Sequence, residues 1–353
     1  MKIESATLLP YAIPLVAPLP TAAGRILERR GFVVSLVAEG QPGIGEAAPH
    51  PAAEPSVWRE TEEALRTQLA GLVGADTREV ATDLLPTLPP AAAMGLDLAL
   101  RDAEARGQGC CLAEALGAQS RAPVRVSALL GGDDLAEAAR RARAAGFRAV
   151  KLKAARDVET TLARVRSVRT AAPELSLRVD ANGAWDRATA LEAARALVCW
   201  DLEWLEQPCA IEDLAGMRAV REAGVRVAAD EAIAGADDVR RLVAAAAVDV
   251  VVIKFCQVGG IGAALAVARA TAEAGLGLSL TTGIDSAIAT TAMLHLAAAL
   301  RPGPDAGCAT LSRLAGDLVY AAPREGSEMA LPTGPGLGLT LDMASPFLQV
   351  AHI

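Results

Sequence analysis

Five short apolar runs along the chain each end in a charged residue, in the order Lys153, Asp180, Glu206, Asp230 and Lys254, and successive ends are 27, 26, 24 and 24 residues apart. That regularity constrains the fold more than any other feature. The runs RAVKLK, LSLRVD, LEWLE, VRVAAD and DVVVIK are strand-like, and the Ala/Leu/Arg/Glu segments between them have helical periodicity. One such segment, DDLAEAARRARAAG, opens on acidic residues and stops at Gly146, as helix starts and ends prefer. Two further runs, PVRVSALL at 123–130 and LGLSLTT at 276–282, extend the series to seven parallel βα units. A (β/α)8 barrel allots roughly 30 residues to each unit and collects its chemistry at the C-terminal strand ends. An open doubly wound sheet would gather its functional groups near one switch point. Charge on successive strand ends therefore favours a closed barrel.

The rest of the 353 residues reads differently. In residues 1–98, GFVVSLVAEGQPGIGEAAPHP gives strand and turn and WRETEEALRTQLAGLV gives a helix, an α+β pattern. The barrel takes 99–319, and the Gly/Pro-rich stretch within 320–353 leaves it to cover it. A formal net charge of −8 disfavours a nucleic-acid surface, which needs clustered positive charge. No apolar stretch approaches the ~20 residues that cross a bilayer, and the N-terminus lacks a signal peptide's pattern, so a cytoplasmic location is expected. Neither C-x-x-C pairs nor His-rich surroundings accompany the six cysteines, which read as reduced core residues. A homo-oligomer is compatible with all of this.

Lysine usage is lopsided, with four lysines (Lys2, Lys151, Lys153, Lys254) against 30 arginines. Three of the four lie at strand ends. Lysine can give up its proton when desolvated or crowded by positive charge and arginine cannot, so proton transfer explains the choice. Asp180, Glu206 and Asp230 come from three neighbouring strands and can converge on one cation. Their oxygen-only ligation suits Mg2+, or Mn2+ as a substitute, better than zinc. Each carboxylate alone reads equally well as a helix cap or ion-pair partner; the ordered set does not. Lys153 and Lys254 stand on opposite sides of an eight-stranded ring, with the three carboxylates on the arc between. This arrangement suits abstraction of a proton beside a substrate carboxylate, with one lysine as base and the metal supporting the enediolate; positive neighbours would lower a lysine pKa and the carboxylates oppose it, a balance the sequence leaves open. Further substrate contacts are expected from Lys151, on the same strand face as Lys153, from Arg178 and Asn182, and from Thr282, Gly283, Ile284 and Asp285 at the seventh strand end. Arg178 reads more readily as a structural ion pair, and His50 as a surface turn rather than a group reaching the mouth of the site from a capping loop. Gly259–Gly260 lacks a P-loop lysine and reads as a turn into a helix.

The segments VKLK, RVDANGAW, WLEQP, AADEA and VVIK followed by QVGGI closely resemble the muconate-lactonizing-enzyme subgroup of the enolase superfamily. The resemblance implies an α+β capping domain on a modified TIM barrel, (β/α)7β, with Mg2+ held by Asp180, Glu206 and Asp230 and with Lys153 and Lys254 as acid/base groups. Within the subgroup, RGFVVSLVAEGQPGIGEAAPHP, LRVDANGAW, LEQPC and LPTGPGLGLTLD resemble the o-succinylbenzoate synthases of menaquinone biosynthesis. That likeness implies a small carboxylate substrate, a succinylated hydroxycyclohexadiene carboxylate. Lys153 would remove its proton and then protonate the departing hydroxide, while Lys254 stays cationic. The seventh strand end, TTGIDSAIATT, departs from the Ser-rich segment with Glu that many such synthases carry. The same two lysines could serve an N-succinylamino acid racemase or dipeptide epimerase, although no D-x-D motif follows the seventh strand. A non-catalytic barrel retained for binding would be hard to reconcile with five charged strand ends.

Overall fold

The start of the chain folds into a three-stranded antiparallel sheet. It comprises β1 (Ile3–Thr21), β2 (Gly24–Ala38) and β3 (Gln41–Ala47). The computed structural model describes residues 1–21 and 24–349. Glu39 and Gly40, both at positive φ, form the two-residue turn that joins β2 to β3, with Ala38 opposite Gln41. Phe32, Val34 and Leu36 on one face of β2 pack with Leu65 of α1 (Pro55–Leu69) and Leu96 of α2 (Pro90–Gly107). Leu9, Tyr11, Ile13 and Val33 on the other face join the large core shared with the barrel. The part of the capping sheet around Phe32–Leu36 is therefore covered on both sides, while Val16 and Leu27 further along it stay exposed. Helix α2 runs unbroken through position 98, so no boundary between elements falls there.

The barrel strands follow in order: β4 (Ala128–Leu129), β5 (Ala149–Lys153), β6 (Ser176–Asp180), β7 (Leu202–Glu206), β8 (Val227–Ala229), β9 (Val250–Ile253) and β10 (Gly277–Leu280). They form one parallel sheet with neighbours consecutive in the chain. Two residues close the ring. Ala306 bridges Val126 and Gly307 bridges Thr281, both in parallel, with Ser127 N donating to Ala306 O at 2.8 Å and Gly307 N to Leu280 O at 2.8 Å. The result is (β/α)7β.

Strand alternation divides the side chains cleanly. Leu152, Val179, Leu205, Val227 and Val251 point outward into the core beneath the helices, while Trp204, Ala228, Val250 and Val252 form a separate cluster inside the ring. Asp134, Asp157, Asp186 and Asp213 cap the barrel helices Leu135–Ala144, Val158–Ala171, Arg187–Leu197 and Leu214–Glu222. The strand-end carboxylates are thus not needed as caps. Gly259 and Gly260 make the turn expected of them. There Asp97 of α2 accepts from Ile261 N at 2.6 Å and Gly262 N at 3.1 Å, capping helix Ile261–Glu273 from the capping domain. The segment after the barrel runs back to the cap, where Leu348 bridges Tyr11 and Leu337 N donates to Asp102 at 2.7 Å.

Candidate active site

Asp180 and Glu206 end β6 and β7, and Asp230 directly follows β8. One carboxylate oxygen from each lies within 4.8 Å of the others, and all three residues are buried. Lys151 bridges two of them, its Nζ lying 2.7 Å from Asp180 and 2.6 Å from Glu206. Lys153 Nζ donates to Asp180 at 2.7 Å and to Asn182 Oδ1 at 2.7 Å, and Lys254 pairs with Asp230. Around them, Trp204 Nε1 holds the second Glu206 oxygen at 3.2 Å. Gln207 accepts from the backbone of Asp230, and Asn182 donates to Glu231 at 2.8 Å.

The electrostatics follow from burial. Burial alone would raise Asp180, yet Lys151, Lys153 and Lys254 outweigh it and hold the carboxyl far below the usual range. Glu206 goes the other way: burial, aided by Asp180 and Asp230, lifts it to about 7 against the pull of Lys151. Burial also works against the Lys254 charge, but Asp230 and Glu231 overcome it and raise this lysine well above its ordinary value. The balance between positive neighbours and opposing carboxylates, open from the sequence, thus falls to the carboxylates at Lys254, whose direct partner is Asp230.

Whether the triad fits a metal is testable on its own atoms. Asp230 Oδ1 is buried and has no hydrogen-bond partner, an expensive state for a carboxylate oxygen unless something else binds it. A hard divalent cation with ~2.1 Å bonds would take one oxygen from each residue. The triad fits.

Several expectations change. Arg178 is enclosed in the barrel, where it pairs with Glu203 at 2.7 Å, donates to Asp305 O at 2.8 Å and stacks 4.2 Å from the Trp204 ring. These contacts make it a structural ion pair inside the barrel. Glu203 reaches it because β7 carries one extra residue there against β6. Asp285 presents no free carboxylate either, pairing with the buried Arg29 of β2 at 2.6 Å and accepting from Gly283 N at 3.0 Å. Ser286, not Asp285, caps helix Ala287–Leu300. Thr282 contacts Thr310 at 3.1 Å. His50 is solvent-facing but stands over the site. A Cβ added at Gly283 would lie 3.9 Å from its ring. Incomplete hydration and the nearby Lys254 and Arg29 charges push its pKa down to about 4. Of the cysteines, Cys199 is exposed and Cys110 only half-buried, so those two are not core residues.

Sequence reasoning passed over Arg29, Tyr11 and Glu46, which form one buried cluster with Asp285 and Ser286. Tyr11 donates to Glu46, and Glu46 accepts from Ser286 Oγ at 2.6 Å and from Ala289 N at 3.1 Å. Only GIGEAAPHP hinted at it, a charge inside an apolar, Gly-rich strand.

Comparison with known proteins agrees with this geometry. A family described as enolase C-terminal domain-like matches residues 134–345, and one described as MenC, N-terminal domain matches 3–103. An o-succinylbenzoate synthase of Thermobifida fusca is 40% identical over 188 residues, 52% of this chain and 58% of that protein. An aromatic dipeptide epimerase of Herpetosiphon aurantiacus is 33% identical over 81% of this chain and 83% of its own. Among solved structures, a muconate lactonizing enzyme from Pseudomonas fluorescens complexed with muconolactone superposes with TM-score 0.88 at 27% identity, covering 97% of each chain. An Enterococcus faecalis dipeptide epimerase complexed with Mg and L-Leu-L-Tyr gives TM-score 0.88 at 27% identity, covering 96% of this chain and all of that one. With family matches over both the cap and the barrel and the fold shared across nearly the whole chain, the chain belongs to the enolase superfamily of enzymes, within its muconate-lactonizing-enzyme subgroup.

Proposed function

We propose that this protein is a Mg2+-dependent o-succinylbenzoate synthase of the cytoplasm, eliminating water from a succinylated hydroxycyclohexadiene carboxylate. The observation that carries this reading is the unequal setting of the two lysines. The Lys153 side chain is 48% exposed and hydrogen-bonded to Asn182, whereas Lys254 is 9% exposed and ion-paired to Asp230. A racemase needs both lysines to exchange protons with substrate. Dehydration needs one base and one fixed cation.

Asp180, Glu206 and Asp230 would hold the metal, Mg2+ or Mn2+, which supplies positive charge against the substrate carboxylate. Lys153 Nζ takes the α-proton, and Lys254 remains charged opposite the enediolate. The electron pair then expels the hydroxyl group from the ring, and the proton held on Lys153 Nζ leaves with it as water. Atoms balance as o-succinylbenzoate plus one water, and no redox partner is required. The identity to o-succinylbenzoate synthases and the match of residues 3–103 to the MenC N-terminal family support this choice.

Epimerisation is the second reading, favoured by the longer match to the aromatic dipeptide epimerase. Purified protein with Mg2+, offered the cyclohexadiene substrate, should form the aromatic product. Lys153→Ala should lower kcat by roughly 10³-fold or more, as expected for loss of an essential base. Solvent deuterium entering the α-carbon of dipeptides or N-succinylamino acids, with no dehydration, would establish the second reading instead. Calorimetric titration with Mg2+ should show affinity falling at least about tenfold in Asp230→Asn, the scale on which altered metal surroundings act.

A further inference from the structure

One guanidinium reaches both loops that flank the site. Arg29 is buried at 1% exposure on the barrel-facing side of β2 and donates to Pro49 O and, at 3.1 Å, to Ala48 O, the two residues before His50. The same group pairs at 2.6 Å with Asp285, 256 positions away, whose other oxygen accepts from Gly283 N at 3.0 Å. Between Gly283 and Asp285 lies Ile284, at φ +65°. Among the described residues it is the one β-branched side chain at positive φ, a conformation that persists only where its surroundings over-determine it. Its side chain packs against the large apolar core, and the residue that follows it is held by Arg29.

Gly283 itself lies outside the left-handed region. A Cβ there would meet Asp285 at 3.5 Å, Cys256 at 3.7 Å and His50 at 3.9 Å, all ordinary contacts. Neither backbone nor crowding demands glycine, so its lack of a side chain leaves space between the two loops. We propose that Arg29 and Asp285 are a positioning pair. They clamp the 48–50 and 283–285 segments together and so fix the width of the cleft that receives the part of the substrate distal to its reacting carboxylate. This rests on the reading of the site as one that deprotonates a carboxylate substrate; the pair touches no reacting atom.

The test compares Arg29→Met, Arg29→Lys, Asp285→Asn and the double variant Arg29→Met/Asp285→Asn by steady-state kinetics and amide hydrogen exchange. The expected result for Arg29→Met is a KM raised about tenfold or more with kcat nearly kept, because distal binding and not chemistry is lost. Amides of 48–53 and 283–289 should exchange faster while β6 keeps its protection. Arg29→Lys should recover part of the KM, and the double variant should add little to either single one, as for residues acting as one unit. In an Ile284→Gly background the exchange effect of Arg29→Met should shrink, since no strained residue remains to be held. Unchanged exchange in either segment overturns the clamp, as does faster exchange with unaltered KM, or a kcat loss at constant KM. If wild-type protein turns over neither the cyclohexadiene nor N-succinylamino acids, the functional reading fails, and the exchange measurements still decide whether the clamp exists.

Discussion

Lys153 and Lys254 carry the same charge into different surroundings, and their replacements should separate accordingly. Removing one member of a buried ion pair typically costs about 3–5 kcal/mol because the partner is left uncompensated. Lys254→Ala strands Asp230, which already has one unpartnered oxygen, so urea unfolding in EDTA should show a loss of that order, partly recovered with added Mg2+. Lys153 is half-exposed, and Lys153→Ala should shift stability by less than about 1 kcal/mol while abolishing turnover. Both lysines stood out in the sequence because so few lysines compete with them. Asp285 could be located but not understood there. Its meaning lies in Arg29, and no local pattern links residues on a capping strand and a barrel loop.

At the scale of elements, the barrel strands were legible because their apolar runs repeat and end in charge. Helix starts were legible from Asp134, which caps in the expected way. The closing strand escaped notice because Ala306 and Gly307 are too few to carry a periodic signal. Strand β1 was equally obscure, its prolines at 10, 14, 18 and 20 breaking the alternation that a long strand should show. Between elements, the joint at Gly260 gives a sharp expectation. It sits at φ +106° and a Cβ would lie 2.7 Å from Asp97 Oδ2, the carboxylate capping the following helix. Gly260→Ala should therefore destabilise by about 2–4 kcal/mol, combining backbone strain with displacement of a cap, as read from the urea midpoint.

Across the whole molecule, His295 ties three regions. From helix Ala287–Leu300 its Nδ1 accepts from Ala113 N at 3.1 Å, and Nε2 lies 3.2 Å from Leu337 O in the returning segment. Burial lowers its pKa from 6.5 to about 4, so on acidification the unfolded chain binds the proton first. Stability supplied by the neutral ring is complete above pH 6.5 and drains away as pH falls towards 4. His295→Gln should flatten the fall in melting temperature across that interval. The ring closure has a different consequence, one in time. Val126 meets Ala306, 180 positions later, so a chain emerging from the ribosome holds seven strands before the piece that joins its first edge to its last exists. Until Gly307 clears the exit tunnel, the nascent sheet presents two bare edges, the exposure that recruits chaperones and seeds misassembly. Slow translation through the 280s and 290s should lengthen that vulnerable interval.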